Sequence, residues 1–420
     1  MNSIWDLWLL FFQTLPVVLG DPRYLLIIGV VFFLVHSQYR RVHIMRKRMF
    51  GLVRGTPLQD TVNSLGYGLF GGLLASGIFI IIGISLSDTG ILYLWFTAII
   101  LMLVHPRFLC FSYAAGLISM LHLLFGVPKI DIPALMALVA VLHFVEAVLI
   151  RFHGYQTASP IYIKHANGEV VGGFSMQCFW PLPFVALLGI AMLNSSIDFA
   201  AIAMPEWWPL LQPNTLLPMD HSFVYIMFPV VAALGYSDMA LTSLPKVKVA
   251  HSSRNLLLYS GVLLGLALMA DRVPALVLLV VLFAPFGHEW VIYRGMRREK
   301  LEKPLFFYAD GVMVLDVYPN SPAEKMGLCT GDVIISVNGV PINSAQHLLD
   351  EMTPWIIDPL LVVQNMVKGE EQRTVSYKGK VPPIGIIPAP DRKQQMYIQV
   401  KQGALKSWFR RLRNCGKGSS

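Results

Sequence analysis

From Ile4 to Ile292 the chain strings together long apolar runs joined by short polar segments. The runs fall near 24–37, 64–86, 90–106, 107–127, 130–150, 174–193, 222–240, 255–270 and 272–293. A stretch of about 20 apolar residues spans the roughly 30 Å hydrocarbon core of a bilayer as a helix. A hydrophobic fraction of 55%, a charged fraction of 14% and a mean hydropathy of +0.59 do not suit a soluble protein. The fold class expected is therefore an α-helical polytopic membrane bundle of about 8–10 spans, carrying a small α+β domain at its end. Ile4 to Leu19 is interrupted by Asp6 and Pro16, so its length alone does not make it a span.

The charges give an orientation. If the basic run Arg40, Arg41, Arg46, Lys47 and Arg48 is cytoplasmic, alternate loops place the Lys and Arg at 107, 151, 164, 246, 248, 254 and 294–303 inside as well. Only Arg23, Lys129 and Arg272 then lie outside, and the end of the chain is cytoplasmic. The long loop 194–221 has no Lys or Arg and carries Trp207-Trp208, which read as anchors at a membrane edge. Gly68, Gly72 and Ser76 share one helix face, and Gly261 with Gly265 repeats that spacing; such faces let helices approach closely.

Gly311 to Asn338, GVMVLDVYPNSPAEKMGLCTGDVIISVN, is of another kind. Gly311 releases the chain into the β-branched run Val312–Val317. Ser321, Pro322 and Glu324 set a helix start with Ser as N-cap, Pro at the first helical position and Glu three residues beyond the cap. Gly327 suits the left-handed residue that ends such a helix. A second apolar run, Val333–Val337, leads into Asn338-Gly339, a strong hairpin signal. In this order, SPAEKMGL followed by GDVIISVNG resembles the PDZ domain in its bacterial form, over roughly residues 304–390.

That resemblance implies capture of an extended peptide or a free C-terminus by strand addition, in a groove between a strand and a helix. The helix is expected at Ser344–Met352, with Leu348, Leu349 and Met352 along one face. Two segments compete for the carboxylate-binding loop. Ile384, Gly385, Ile386 and Ile387 have the apolar-Gly-apolar pattern, though they would equally serve to close the small sheet. Tyr308-Ala309-Asp310-Gly311 is the other, but Asp310 would repel a carboxylate.

Catalytic chemistry is hard to find. A membrane zinc protease needs two histidines one helical turn apart with a Glu between them. In His288-Glu289-Trp290-Val291-Ile292 the second histidine is replaced by Ile292. The serines within the spans have no Gly-flanked nucleophile setting. Cys110, Cys178, Cys329 and Cys415 show no metal-type or paired spacing. No catalytic residue, metal centre, cofactor or nucleic-acid partner is therefore expected. His143, Glu146, His288 and Glu289 form the candidate intramembrane polar cluster, with Asp238 a further candidate; His143 and Glu146, one turn apart, can hydrogen-bond.

His143–Gly154, HFVEAVLIRFHG, and Gly172–Pro183, GGFSMQCFWPLP, together with the terminal PDZ-type domain and the closing PIGIIPAP, resemble the MinJ family of Gram-positive bacteria. That resemblance implies a non-enzymatic membrane adaptor positioning the Min division machinery at septum and poles, with proteins of the DivIVA and MinD type as partners. The competing reading is a PDZ-regulated transporter or sensor working through His143, Glu146 and His288. The domains read as 1–303 transmembrane, 304–390 PDZ and 391–420 a basic tail. In the tail, Lys401, Lys406, Trp408, Phe409, Arg410, Arg411 and Arg413 suit an anionic inner leaflet.

Overall fold

The computed structural model describes residues 3–51, 55–87, 89–193, 204–211, 221–307, 310–352, 358–365, 369–376, 382–391 and 397. Eight helices build the first part: α1 (Ser3–Gly20), α2 (Pro22–Phe50), α3 (Pro57–Ile82), α4 (Ile91–Val104), α5 (Phe111–Phe125), α6 (Ile132–His153), α7 (Pro245–Arg272) and α8 (Val277–Leu301). Short polar caps start three of them. Asp21 accepts from the Arg23 amide, Thr56 from Gln59 and Asp131 from Ala134, each ahead of a proline in the first turn. Among the described residues, α2, α3, α6, α7 and the stretch Pro274–Leu301 containing α8 are long and apolar enough to cross a membrane. The helices α4 and α5 are apolar but shorter. The most enclosed is α6, which α3, α5, α7 and α8 surround.

The runs 174–193 and 222–240, expected as two helical spans, are instead strands. Between α6 and α7 the chain forms β1 (Ser159–Lys164), β2 (Val170–Leu193) and β3 (His221–Ala240), an antiparallel sheet in the order β1-β2-β3. The β2–β3 pairing runs unbroken from Phe174↔Ala240 to Leu193↔His221. Pro181 and Pro183 explain the outcome, because two prolines two residues apart disrupt a helix, whereas β2 beyond Ser175, where its pairing to β1 ends, has an open edge that tolerates them.

The edge that bears these prolines lies along α3. The Ser64 hydroxyl donates to the Phe179 carbonyl. The Val185 amide donates to Ser76 Oγ at 2.8 Å. A Cβ on Gly68 or Gly72 would overlap the carbonyl oxygen of Pro181 or Pro183 respectively. One helix turn advances about 5.4 Å and two strand residues about 6.6 Å, so residues four apart on α3 meet residues two apart on β2. Beyond α3, the Leu86 amide donates to Leu187 O at 2.8 Å and the Gly189 amide to Ser85 Oγ at 2.9 Å. The small-residue face thus seats a strand, not a helix. Gly261 and Gly265 meet nothing within 4 Å.

The last part is a second sheet, ordered β8-β7-β5-β4-β9, with β6 paired to β5. Its elements are β4 (Val312–Val317), α9 (Pro322–Lys325), β5 (Val333–Val337), β6 (Val340–Pro341), α10 (Ala345–Glu351), β7 (Leu360–Asn365), β8 (Gly369–Thr374) and β9 (Ile386–Pro388). Ser321 Oγ accepts from the Glu324 amide, and the Glu324 carboxylate accepts from the Asn320 amide at 2.6 Å. Asn338 and Gly339 both take positive φ, 48° and 83°, as the two-residue turn between β5 and β6 requires. Val314, Ile334, Leu348, Leu361, Val363 and Ile384 lie at the centre of this domain's own core. Of the basic tail, only Asp391 and Tyr397 are among the described residues, so its seven candidate leaflet residues and Cys415 lie outside them.

Candidate functional site

Strand β9 forms one edge of the terminal sheet, paired on its inner side to β4 through Val314↔Pro388, Asp316↔Ile387 and Val317↔Ile386. The Gly385 carbonyl accepts from the Tyr318 amide at 2.9 Å, and the Ala389 amide donates to Met313 O at 2.7 Å. By strand alternation, the polar groups of Ile386 and Pro388 point to the outer side. Gly385 has φ +76°, and a Cβ there would overlap Ser321, so only glycine fits this turn.

The predicted groove residues divide by burial. Leu348, Ile384 and Ile387 are 1%, 2% and 4% exposed. Ile387 packs into the core shared with the helical part, whereas Leu348 and Ile384 belong to this domain's own core. Leu349 is 54% exposed and turns to solvent. Met352 and Ile386 are half-buried and pack on the same core, which makes them the apolar groups accessible to a ligand. Gly311, with φ +117°, borders a small cleft with Ser344 and Ala345 at the start of α10, Pro388 at the end of β9, Pro390 beyond it, and Tyr162 of β1. Tyr308 and Ala309 of the alternative loop lie outside the described residues.

The terminal domain is docked on the helical part. Tyr162 donates from its hydroxyl to Pro388 O at 2.8 Å, and Tyr318 donates to Phe50 O at 3.2 Å. Burial pushes both phenols up, so each remains an O–H donor at neutral pH. The Gly172 amide donates to Phe306 O at 2.8 Å and the Leu305 amide to Leu241 O at 2.7 Å. Beside this joint, the buried Lys248 ammonium lies 3.1 Å from Glu299 and 3.4 Å from Asp238. Glu299 also accepts from the amides of Leu241 and Thr242. The sequence marks Asp238 as a polar candidate and Lys248 only as an inside charge; Glu299, 51 residues beyond Lys248, is what makes them one cluster.

The candidate polar residues of the helical part separate into two groups. Glu289 accepts from Tyr113 Oη at 2.7 Å and pairs with Arg107. His143 and His288 face each other, with ring centroids 5.1 Å apart. His143 Nδ1 lies 2.7 Å from Val139 O, and Nε2 lies 3.2 Å from both Cys110 Sγ and Ser112 Oγ. Its nitrogens are thus turned to these groups, and the expected bond to Glu146 is not the contact made. Gly116 lets α8 approach α5 here, since a Cβ would stand 2.8 Å from the Pro285 ring. Cys110, which linear spacing passes over, completes a trio with His143 and His288 whose ligating atoms all lie within 4.8 Å of one another.

The PDZ domain family matches residues 313–352. Among curated proteins, the chain is 22% identical to the cell division topological determinant MinJ of Bacillus subtilis (strain 168) over 276 residues, 62% of this chain and 63% of that protein. It is also 46% identical over 39 residues to a putative serine protease HhoA of Synechocystis sp., covering 9% of this chain and 10% of that protein. The chain therefore matches less than two thirds of the length of either relative. A match across one tenth of a protease does not carry its activity. The chain holds a PDZ domain and is similar, over most of its length, to a cell division topological determinant of the MinJ type.

Proposed function

We propose that this chain is a non-enzymatic membrane adaptor that positions division machinery, with a cytoplasmic PDZ domain taking an extended peptide or C-terminus. The observation that carries this reading is β9, an edge strand whose outer side bears Ile386, beside the half-buried Met352 that follows α10. An edge strand beside apolar ground is the arrangement that strand addition uses.

The charge distribution supports the orientation. Replacing two helical spans by one hairpin changes the number of crossings by an even number. Lys and Arg at 151, 164, 246, 248 and 294–303 therefore stay on the same side as those at 40–48. In this reading, residues 1–303 anchor the protein and 304–390 form the recruiting domain, and partners of the DivIVA and MinD type are recruited at septum and poles. A fluorescent fusion in dividing cells tests it. Bands at septum and poles are expected; an even ring around the membrane would point to a transporter or sensor instead.

A further inference from the structure

We propose that Cys110, His143 and His288 form a three-ligand site for a zinc-class divalent cation, tying α5, α6 and α8 together within the helical part. Each ligand comes from a different segment: Cys110 directly precedes α5, His143 is midway along α6, and His288 is within α8 after Pro285.

The distances fit the chemistry. A tetrahedral zinc with Zn–S near 2.3 Å and Zn–N near 2.0–2.1 Å holds its sulfur and nitrogen ligands about 3.5 Å apart. Cys110 Sγ lies 3.2 Å from His143 Nε2 and 3.6 Å from His288 Nε2. The other nitrogen of His288 is 4.0 Å from the same sulfur, so a modest ring rotation aims either one at a common point. The proton arrangement also fits. Tyr259 donates its single proton to Ala284 O at 2.8 Å, so Ser112, 2.8 Å from Tyr259 Oη, must donate to that oxygen. With the His143 Nδ1 proton directed to Val139 O, Nε2 presents a lone pair that Ser112 cannot satisfy. A backbone carbonyl behind the far nitrogen is the usual support for a metal-bound imidazole.

Cys110 occupies an N-cap position, where Ser, Thr, Asp or Asn would bond the helix amides, yet its side chain makes no capping bond. Its sulfur turns to the two histidines instead. Tyr259 stands edge-on to both imidazoles at 5.6 and 5.5 Å and fixes their approach. No fourth residue joins the trio at this distance among the described residues. Glu146, one turn beyond His143, is the nearest carboxylate along α6.

The test uses the full-length chain in nanodiscs, stripped with a chelator and titrated with cobalt(II). About one cobalt per chain with a thiolate-to-cobalt charge-transfer band, displaced by zinc, is expected from one Cys-containing tetrahedral site. Cys110→Ser should abolish the band, and Cys329→Ser, at an exposed thiol of the PDZ domain, should leave it intact. Absence of the band from the wild-type chain, or its survival in Cys110→Ser, would overturn the proposal and leave a hydrogen-bonded Cys-His-His cluster. Should Cys110→Ser fold poorly, alkylation of Cys110 in the wild-type chain provides the second measurement. Zinc should slow it at least about tenfold, because a metal-bound thiolate is withdrawn from reaction; equal rates with and without zinc would equally overturn the site.

Discussion

The Tyr162 hydroxyl donates to the Pro388 carbonyl at 2.8 Å, so the helical part holds the outer edge of the strand on which the PDZ domain would receive a ligand. Pro388 offers no N–H of its own, and Tyr162 takes the acceptor that remains. The bond therefore restrains one end of the edge and leaves the polar groups of Ile386, two residues earlier, for the proposed strand addition. Losing a neutral hydrogen bond costs about 0.5–1.5 kcal/mol, roughly two- to tenfold in a local opening equilibrium. Tyr162→Phe should accordingly speed amide exchange across 384–390 by that factor while the rest of the domain is unchanged. Exchange identical to wild type would show that this contact does not restrain the edge.

The α3–β2 contact gives a steric prediction. Gly72→Leu would drive a side chain into the Pro183 carbonyl, backbone that cannot step aside. Overpacking of this kind costs about 1–3 kcal/mol or more, so the purified variant should melt lower and lose monodispersity in detergent. Gly261→Leu is the matched control, since that position meets nothing within 4 Å and should behave as wild type.

Lys248 and Glu299, 3% and 7% exposed, make a buried ion pair at the base of the PDZ domain. Removing one partner of such a pair typically costs about 3–5 kcal/mol, because the other charge is left buried alone. Lys248→Met should therefore lower the melting temperature strongly. Adding Glu299→Gln should restore much of the loss, because the amide oxygen can still accept from Leu241 and Thr242. If the double variant melts no higher than the single, the buried charge is not what destabilises it.

Topology is tested by reporter fusions. A phosphatase active only outside the cytoplasm should be silent when fused after Lys303 and active within loop 194–221. The reverse pattern would invert the orientation and remove the PDZ domain from the reach of cytoplasmic division proteins.

What the sequence revealed follows the range of the interactions. Ser321, Glu324, Gly327 and Asn338-Gly339 act on neighbours a few residues away, so α9 and the β5–β6 turn could be read directly. The hairpin of β2 and β3 could not be read from its composition, because a twenty-residue apolar run carries no visible period once both faces are covered. Pro181 and Pro183 are the available signal: their physical meaning is a strand with one open edge, which β2 has beyond Ser175. Leu348 and Leu349 are adjacent and chemically identical, yet one is core and the other exposed; only the seating of α10 separates them. Cys110 lies 33 residues from His143 and 178 from His288, so no linear spacing could join them.

Recruitment to division sites through the β9 edge is the most direct test of the proposed adaptor role. Ile386→Pro removes the outward N–H of that strand, and an edge position is where a sheet tolerates proline. The measurement is the distribution of a fluorescent fusion in dividing cells, for the wild-type chain and for Ile386→Pro of matched membrane level and melting temperature. Bands at septum and poles are expected for the wild type and an even membrane ring for the variant. Septal and polar bands that persist undiminished in a folded Ile386→Pro protein would contradict that role.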